Sequence, residues 1–239
     1  MKYKLAGAVF LFTVFFTSCN QQQSKSENTH TDEAHVARTT NLTKEQVLEK
    51  LKDGNQNFVK GIATNNFNHG ESYNYHDQVE HSKTEQHPIA FILSCIDSRV
   101  PPEIIFDTGI GELFVDRVAG NVDDQFNLGS MEYAVNVKHV KLIVVLGHTN
   151  CGAINAAFGQ VDSSSNNLVA LVTHVKQDII PKDSLPYDAS AKHNVVKTIE
   201  SILKNSNSIR SKVEEHEVMI VGALYNVASG KIDWNSKNW

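Results

Sequence analysis

The chain has 239 residues, of which 41% are hydrophobic, and this is enough for a complete core without disulfide support. Its formal net charge of −5 argues against nucleic-acid binding, because the chain lacks the stripe of Lys and Arg that would collect phosphates. There are three cysteines, and their positions are more informative than their number.

The first 18 residues have the layout of a signal peptide. Lys2 and Lys4 give a positive start, and the apolar run from Leu5 to Phe16 is too short to span a bilayer. Cys19 comes next and is followed at once by a polar tract, an order that resembles a bacterial lipoprotein signal. We therefore expect lipidation of Cys19 and export to the periplasm or cell envelope, with the membrane contacted only through this anchor. An ordinary cleaved signal with an incidental cysteine is the alternative.

Residues 19–41 contain almost no large apolar side chains, so they are predicted to form a flexible linker. The folded domain is predicted to cover residues 42–239. It opens with the capping-box pattern Thr43-Lys-Glu-Gln46, and apolar residues then recur at helical spacing despite Gly54. This pattern predicts an N-terminal helical arm. The polar stretch from Ile62 to Gln86 is predicted to be mostly loop, with room for a short helix.

Apolar runs and helical periodicity alternate through the rest of the chain. The apolar runs predict buried strands at 88–94, 112–118, 141–146 and 218–224, with a last short strand around Ile232. The helical stretches lie at 127–137, 151–158, 167–180 and 190–203. This alternation predicts an α/β fold with a mostly parallel sheet of about four strands flanked by helices. Ligands of such sheets bind beyond the carboxyl ends of the strands.

Reactive side chains follow the first of these strands. Cys95, Asp97 and Arg99 come directly after it, and in extended backbone their side chains share one face. Arg99 can then grip Asp97 through a two-pronged hydrogen bond, which keeps the carboxylate ionised.

A second reactive group stands at the junction between the third strand and the next helix. His148 and Cys151 are three positions apart, a spacing that lets both converge on one ion. Cys151 is expected at the helix N-terminus, where unpaired N–H groups favour the thiolate. Gly147 and Gly152 allow tight turns and close approach, and the Gly152 N–H is a candidate contact for a bound anion. Together with Cys95, this group has the donors of a zinc site with two thiolates and one imidazole.

The alternative for the two cysteines is a disulfide. An exported protein meets oxidants, and Cys95 and Cys151 are close in space if they share a metal. Because bound zinc protects thiolates, we favour the metal site.

Four segments carry a family resemblance, and they are Ser94-Cys-Ile-Asp-Ser-Arg99, Arg117-Val-Ala-Gly-Asn121, Gly129-Ser-Met-Glu-Tyr133 and Gly147-His-Thr-Asn-Cys-Gly152. In order and spacing they resemble a β-class carbonic anhydrase, and the resemblance covers nearly all of the predicted domain. It implies that Cys95, His148 and Cys151 bind one Zn²⁺ per chain, and that Asp97 and Arg99 are the catalytic dyad. The implied reaction is the reversible hydration of CO2 to bicarbonate and a proton by zinc-bound hydroxide.

The resemblance implies two further properties. In the closed state of the family the aspartate leaves the arginine and becomes the fourth zinc ligand, a role that falls here to Asp97. Family members are homodimers or homotetramers, with the N-terminal helix reaching over a partner and the pocket lined by both subunits.

Two alternative functions stay open at this point. The first is a hydrolase of a CO2-like molecule, such as carbonyl sulfide or carbon disulfide, on the same scaffold. The second is a non-enzymatic zinc-binding lipoprotein. The presence of both Asp97 and Arg99 speaks against the second, because storage requires ligands and not a positioned carboxylate. Other acids are interpreted as surface or capping groups (Asp116, Asp123, Asp124 and Glu132), and Asp107 and Arg117 as candidates for structural hydrogen bonds near the site.

Overall fold

The structure, a computed structural model, describes residues 42–62, 75–178 and 187–234 of the chain. The predicted signal peptide, Cys19 and the predicted linker lie outside the described residues. Within those three ranges no helix combines the length and the apolar character that crossing a membrane requires.

Five strands form one sheet, and they are β1 (Ala90–Ser94), β2 (Leu113–Arg117), β3 (Leu142–His148), β4 (Met219–Tyr225) and β5 (Ile232–Asp233). Their order across the sheet is β2-β1-β3-β4-β5. The first four pair in parallel, and β5 pairs antiparallel with β4. Every residue of β1 and β3 is buried, as expected for central parallel strands covered on both faces. The predicted mostly parallel α/β sheet is confirmed, with the short strand around Ile232 as its antiparallel edge.

The described helices are α1 (Lys44–Lys60), α2 (Tyr75–Ser82), α3 (Pro102–Ile105), α4 (Gln125–Asn136), α5 (Gly152–Ala157), α6 (Asn166–Asp178), α7 (Tyr187–Asn205) and α8 (Asn207–Glu214). Sequence periodicity does not predict α3 or α8. The first is only four residues long and shows no period. The second follows α7 after Ser206, whose side chain accepts a hydrogen bond from the Ile209 N–H and starts a new helix.

Helix α1 begins at the predicted capping box. The Thr43 side chain accepts a hydrogen bond from the Gln46 N–H, and the Gln46 side chain accepts one from the Thr43 N–H at 2.8 Å. The helix ends at Gly61, whose φ of 70° is the left-handed conformation that favours glycine at this position. Val47 and Leu51 are buried in the same core cluster as residues of β1 and β3. The predicted N-terminal helix is therefore confirmed, and it packs on the sheet of its own chain.

The sheet residues alternate between two core clusters. Ile92 and Val144 lie in the cluster that α1 covers, whereas Leu93 and Val145 lie in the cluster that contains residues of α4, α7 and α8. A third cluster at the carboxyl ends of the strands contains both described cysteines together with residues of α5, α6 and α7. This third cluster is where the reactive residues meet.

Gly54 allows α1 to pack directly on the turn that follows α3. A Cβ at this position would lie 1.9 Å from the Phe106 carbonyl oxygen, so helix and turn would have to separate. We expect Gly54→Ala to lower the free energy of unfolding by about 3 kcal/mol, measured by urea denaturation. Gly129→Ala is the matched control, because a Cβ on that exposed part of α4 would meet no atom within 4 Å. It should raise stability by about 0.5 kcal/mol through helix propensity. Equal stability of the two variants would contradict this packing.

Candidate metal centre

The carboxyl ends of β1 and β3 bring three potential metal ligands together. Cys95 directly follows β1, His148 is the last residue of β3, and Cys151 is the N-cap of α5. The two strands are neighbours in the sheet, with Ser94 paired to Leu146. The two sulfurs and a ring nitrogen of His148 all lie within 4.8 Å of one another, and all three residues are buried. Within the described residues, no other cluster of three or more potential ligands was detected.

The two thiols are free, so the disulfide considered from the sequence is not formed in the structure. Their mutual hydrogen bond lowers the pKa of Cys95. The same hydrogen bond, with burial, raises the pKa of Cys151, because a second negative charge beside the first is unfavourable in a buried place. A divalent cation would remove this conflict by neutralising both thiolates. The pair is therefore chemically suited to a metal ion.

The His148 ring presents one bare nitrogen to the same place. The side chain has no solvent exposure, and its Nδ1 lies 2.9 Å from the Thr149 carbonyl oxygen. Since a carbonyl only accepts, Nδ1 carries the hydrogen and Nε2 is left with a free lone pair. Nε2 is buried without a hydrogen-bond partner among the described residues. Buried polar atoms are rarely left unsatisfied, so this nitrogen fits a metal ligand.

These residues fit zinc on chemical grounds. Two thiolates and one imidazole are donors that Zn²⁺ accepts, and three protein ligands with a fourth position for water or substrate are typical of catalytic zinc sites. Buried thiolates are less suited to Mg²⁺ or Ca²⁺, which prefer oxygen ligands.

Asp97 and Arg99 form the predicted two-pronged pair. Arg99 donates from Nε to Asp97 Oδ1 at 2.9 Å and from Nη2 to Asp97 Oδ2 at 2.7 Å. The expectation of extended backbone through this segment is wrong. Val100 donates its N–H to the Asp97 carbonyl at 2.9 Å, which closes a turn, and the Arg99 N–H also donates to Asp97 Oδ1 at 3.0 Å. The pair forms inside a turn because the Asp97 side chain accepts a hydrogen bond from the backbone N–H of Arg99, two residues further along the chain.

The hydrogen bonds from Arg99 keep the Asp97 carboxylate ionised at the mouth of the site. The hydrogen bonds from Arg99 lower the pKa of the Asp97 carboxyl well below its usual range. The Asp97 side chain is 16% exposed and that of Arg99 is 48% exposed. Asp97 Oδ2 lies 4.0 Å from His148 Nε2. The carboxylate thus borders the three donor atoms while both its oxygens are engaged by Arg99.

Arg117 at the end of β2 fixes the backbone of this segment. Its Nε donates to the Cys95 carbonyl at 2.9 Å and its Nη2 to the Asp97 carbonyl at 2.6 Å. The structural hydrogen bonds hypothesised for Arg117 are therefore confirmed. Asp107, the other candidate, accepts a hydrogen bond from Asn57 of α1 at 3.2 Å.

Gly120 contributes a contact that sequence reasoning missed. Its N–H donates to Cys95 Sγ at 3.4 Å, which lowers the pKa of that thiol. Gly120 has a φ of 76°, and a Cβ there would come within 3.0 Å of Val175. The sequence offered only a glycine inside a recognised motif, with no signal for a bond to sulfur.

The two glycines beside the His148–Cys151 junction behave differently. A Cβ at Gly147 would lie 2.5 Å from the Val195 side chain, which confirms the predicted close approach. Gly152 is exposed and has no atom within 4 Å of such a Cβ, so close packing does not explain a glycine there. Its contact with an anion stays a prediction.

Three of the four acids interpreted as surface or capping groups have structural partners. Asp124 is the N-cap of α4 in a capping box with Asn127, and Glu132 accepts a hydrogen bond from Ser206. Asp123 is not a surface group, because it is 5% exposed and accepts a hydrogen bond from Ser201 at 2.9 Å.

Comparison with known proteins gives a consistent family. Residues 90–232 match the carbonic anhydrase family. Carbonic anhydrase 2 of Mycobacterium tuberculosis is 36% identical over 190 residues, which cover 76% of this chain and 87% of that protein. A carbonic anhydrase of Mycolicibacterium smegmatis is 36% identical over 192 residues, which cover 78% of this chain and 90% of that protein.

Solved structures share the fold. A β-carbonic anhydrase of Aspergillus fumigatus superposes with a TM-score of 0.59 at 26% identity, covering 68% of this chain and 82% of that chain. A chain from the tetrameric β-carbonic anhydrases of Sordaria macrospora superposes with a TM-score of 0.56 at 26% identity, covering 63% of this chain and 82% of its own.

Proposed function

The chain belongs to the β class of the carbonic anhydrase family, and from this membership we propose that it hydrates CO2 at a zinc ion held by Cys95, His148 and Cys151. One observation carries the proposal of the metal. Two buried free thiols and one unpartnered imidazole nitrogen have their donor atoms within 4.8 Å of one another in the part of the chain that the structure describes. Zinc bound there would lower the pKa of a water ligand to about 7, which supplies a nucleophile at neutral pH.

The first role of the surrounding residues is to position the three proposed metal ligands. The two cysteines supply the negative charge that binds a divalent cation. The Thr149 carbonyl accepts a hydrogen bond from His148 Nδ1 at 2.9 Å, so the ring keeps the tautomer in which the Nε2 lone pair would be available to the metal. Arg117 holds the backbone on both sides of Ile96 and thereby restrains Cys95 and Asp97 together.

Asp97 is proposed to orient the attacking water. Its carboxylate is kept ionised by Arg99, and an ionised carboxylate only accepts hydrogen bonds. A hydrogen bond donated by the attacking water to this carboxylate would turn a lone pair of the water oxygen toward the carbon of CO2. Water and CO2 then give bicarbonate, and the surplus proton passes to buffer. The closed state, with Asp97 as a fourth ligand, would require both of its hydrogen bonds with Arg99 side-chain nitrogens to break.

Stopped-flow CO2 hydration by the zinc-loaded full-length chain tests the proposed function. We expect activity that rises from about pH 6.5 to about pH 9, because the deprotonated nucleophile becomes more abundant. Protonation of Asp97 does not contribute to this rise, since its pKa lies below the usual range of a carboxyl and the group is ionised throughout. No activity at any pH, with one zinc per chain confirmed, would reject the function. A flat profile would reject a titrating nucleophile.

A homodimer or homotetramer is proposed as the assembly. β2 is the terminal parallel strand of the sheet, and all its residues are only partly buried. Such an edge is normally covered or paired. Phe126, at the start of α4, is 82% exposed and is also better placed in an interface. The related chains of Sordaria macrospora are tetrameric. A native mass equal to that of a single processed chain would reject this proposal.

Export and lipid anchoring through Cys19 remain proposals from the sequence. In a bacterial host, wild-type protein should pellet with membranes, and Cys19→Ser should move it to the soluble fraction because the acylated residue is lost. Fractionation combined with labelling by a fatty-acid analogue measures both effects. Identical distribution and labelling of the two proteins would mean that Cys19 is not the anchor.

A further inference from the structure

One face of α7 holds the loop that contacts Cys95. Asn194 donates from Nδ2 to the Gly120 carbonyl at 2.7 Å, and Ser201 donates from Oγ to Asp123 at 2.9 Å. These two helix residues are seven apart, so they lie on the same face, and Thr198 lies between them. Helix α7 is therefore hydrogen-bonded to the loop at residues 120 and 123. Neither hydrogen bond involves the side chain of a proposed metal ligand.

The loop that α7 holds contains two consecutive residues in the left-handed backbone conformation. Gly120 and Asn121 are consecutive residues with positive φ, at 76° and 47°. Asparagine adopts the left-handed conformation more readily than most residues but less readily than glycine, so contacts that fix the loop favour it. The hydrogen bond from Asn194 is one such contact, since Asn194 is 1% exposed and the bond joins residues 74 positions apart in the chain.

Gly120 connects the hydrogen bond from Asn194 to the candidate metal centre. Its carbonyl accepts from Asn194, and its N–H donates to Cys95 Sγ at 3.4 Å. The two groups are separated only by the φ and ψ rotations of one residue. Fixing the direction of the carbonyl therefore also limits the direction of the N–H.

We propose that Asn194 is a positioning residue of the metal centre, which aims the Gly120 N–H at the Cys95 sulfur. The inference rests on the proposed function in one respect, namely that Cys95 is a metal ligand. A hydrogen bond to a thiolate withdraws electron density from sulfur and orients its lone pairs. Contacts of this kind outside the ligand set tune both the affinity and the electronic properties of a metal site.

The test compares two substitutions on the same helix face in the full-length protein. Asn194→Leu has a similar volume and cannot donate to Gly120. Thr198→Val is the matched control, because Thr198 is also 1% exposed and its hydroxyl has no partner among the described residues. Zinc affinity is measured by competition with a chelator. We expect Asn194→Leu to weaken zinc binding by about 10-fold to 100-fold and Thr198→Val to leave it unchanged within about twofold.

A spectroscopic readout separates positioning from general loss of stability. With Co²⁺ in place of zinc, the thiolate-to-cobalt charge-transfer band should move to longer wavelength in Asn194→Leu, because the sulfur lone pair is no longer stabilised by an N–H. The band should stay in place in Thr198→Val. If Asn194→Leu does not fold, Asn194→Ser is used with the same expectations, since its side chain is too short to reach the carbonyl.

The possible results are distinct. Unchanged affinity and an unchanged band in the Asn194 variant would overturn the inference, and so would equal effects in Thr198→Val. A wild-type protein that binds zinc but does not hydrate CO2 would overturn the proposed function alone. A wild-type protein that binds no zinc would overturn both.

Discussion

Cys151→Ser is expected to remove bound zinc and to lower the rate of CO2 hydration by at least about a thousandfold. A serine hydroxyl has nearly the size of the thiol but is not ionised at neutral pH, so the site loses one of its two proposed anionic ligands. Without the metal, the transition state loses about 4 kcal/mol or more of stabilisation. Since each 1.36 kcal/mol is a factor of ten in rate, this loss corresponds to about a thousandfold. Elemental analysis gives the zinc content, and stopped-flow measures the rate.

The chain provides its own matched control for this substitution. Cys19→Ser makes the same chemical change at the remaining cysteine, outside the predicted domain, and should leave zinc content and the rate of the purified protein unchanged. Thermal unfolding of both variants shows whether the fold persists, which matters because Cys151 is 3% exposed. A Cys151→Ser protein with one zinc per chain and more than about a tenth of the wild-type rate would mean that Cys151 is not a required ligand.

Asp97→Asn is expected to lower kcat by about a hundredfold while zinc stays bound. The amide keeps the shape of the carboxylate but has no charge, and only one of its two polar atoms accepts hydrogen bonds. The two-pronged pair with Arg99 is lost, and so is the acceptor that is proposed to orient the attacking water. A loss of this size is at the lower end of what positioned proton-accepting groups contribute. Stopped-flow and zinc content are again the measurements.

Two further variants define the cause of this loss. Asp124→Asn is the control, because asparagine caps a helix as well as aspartate does and the residue caps α4. It should keep the wild-type rate. Arg99→Lys keeps the positive charge but cannot form the fork, so an intermediate rate is expected. If Asp97→Asn lost zinc along with activity, the carboxylate would be a ligand and not an orienting group. A wild-type rate would remove Asp97 from the mechanism.

The local features of this protein were predictable because each depends on nearby residues. Continuous apolar runs predicted the parallel strands, since a strand covered on both faces must be apolar throughout. The Thr43–Gln46 pair predicted the start of α1, because a capping box needs only four consecutive residues. The reactive residues were predictable as well, because Cys95 and His148 stand at strand ends, and the carboxyl ends of parallel strands share one edge of the sheet.

The tertiary structure decided what depends on residues distant in sequence. The adjacency of β1 and β3, although β2 lies between them in the chain, brings Cys95 next to His148. The segment after Cys95 is a turn and not extended, because Asp97 caps its own backbone. The Gly120 bond to sulfur and its support by Asn194 span 25 and 74 residues. No local period encodes such pairs, since they arise only when the sheet and α7 pack together.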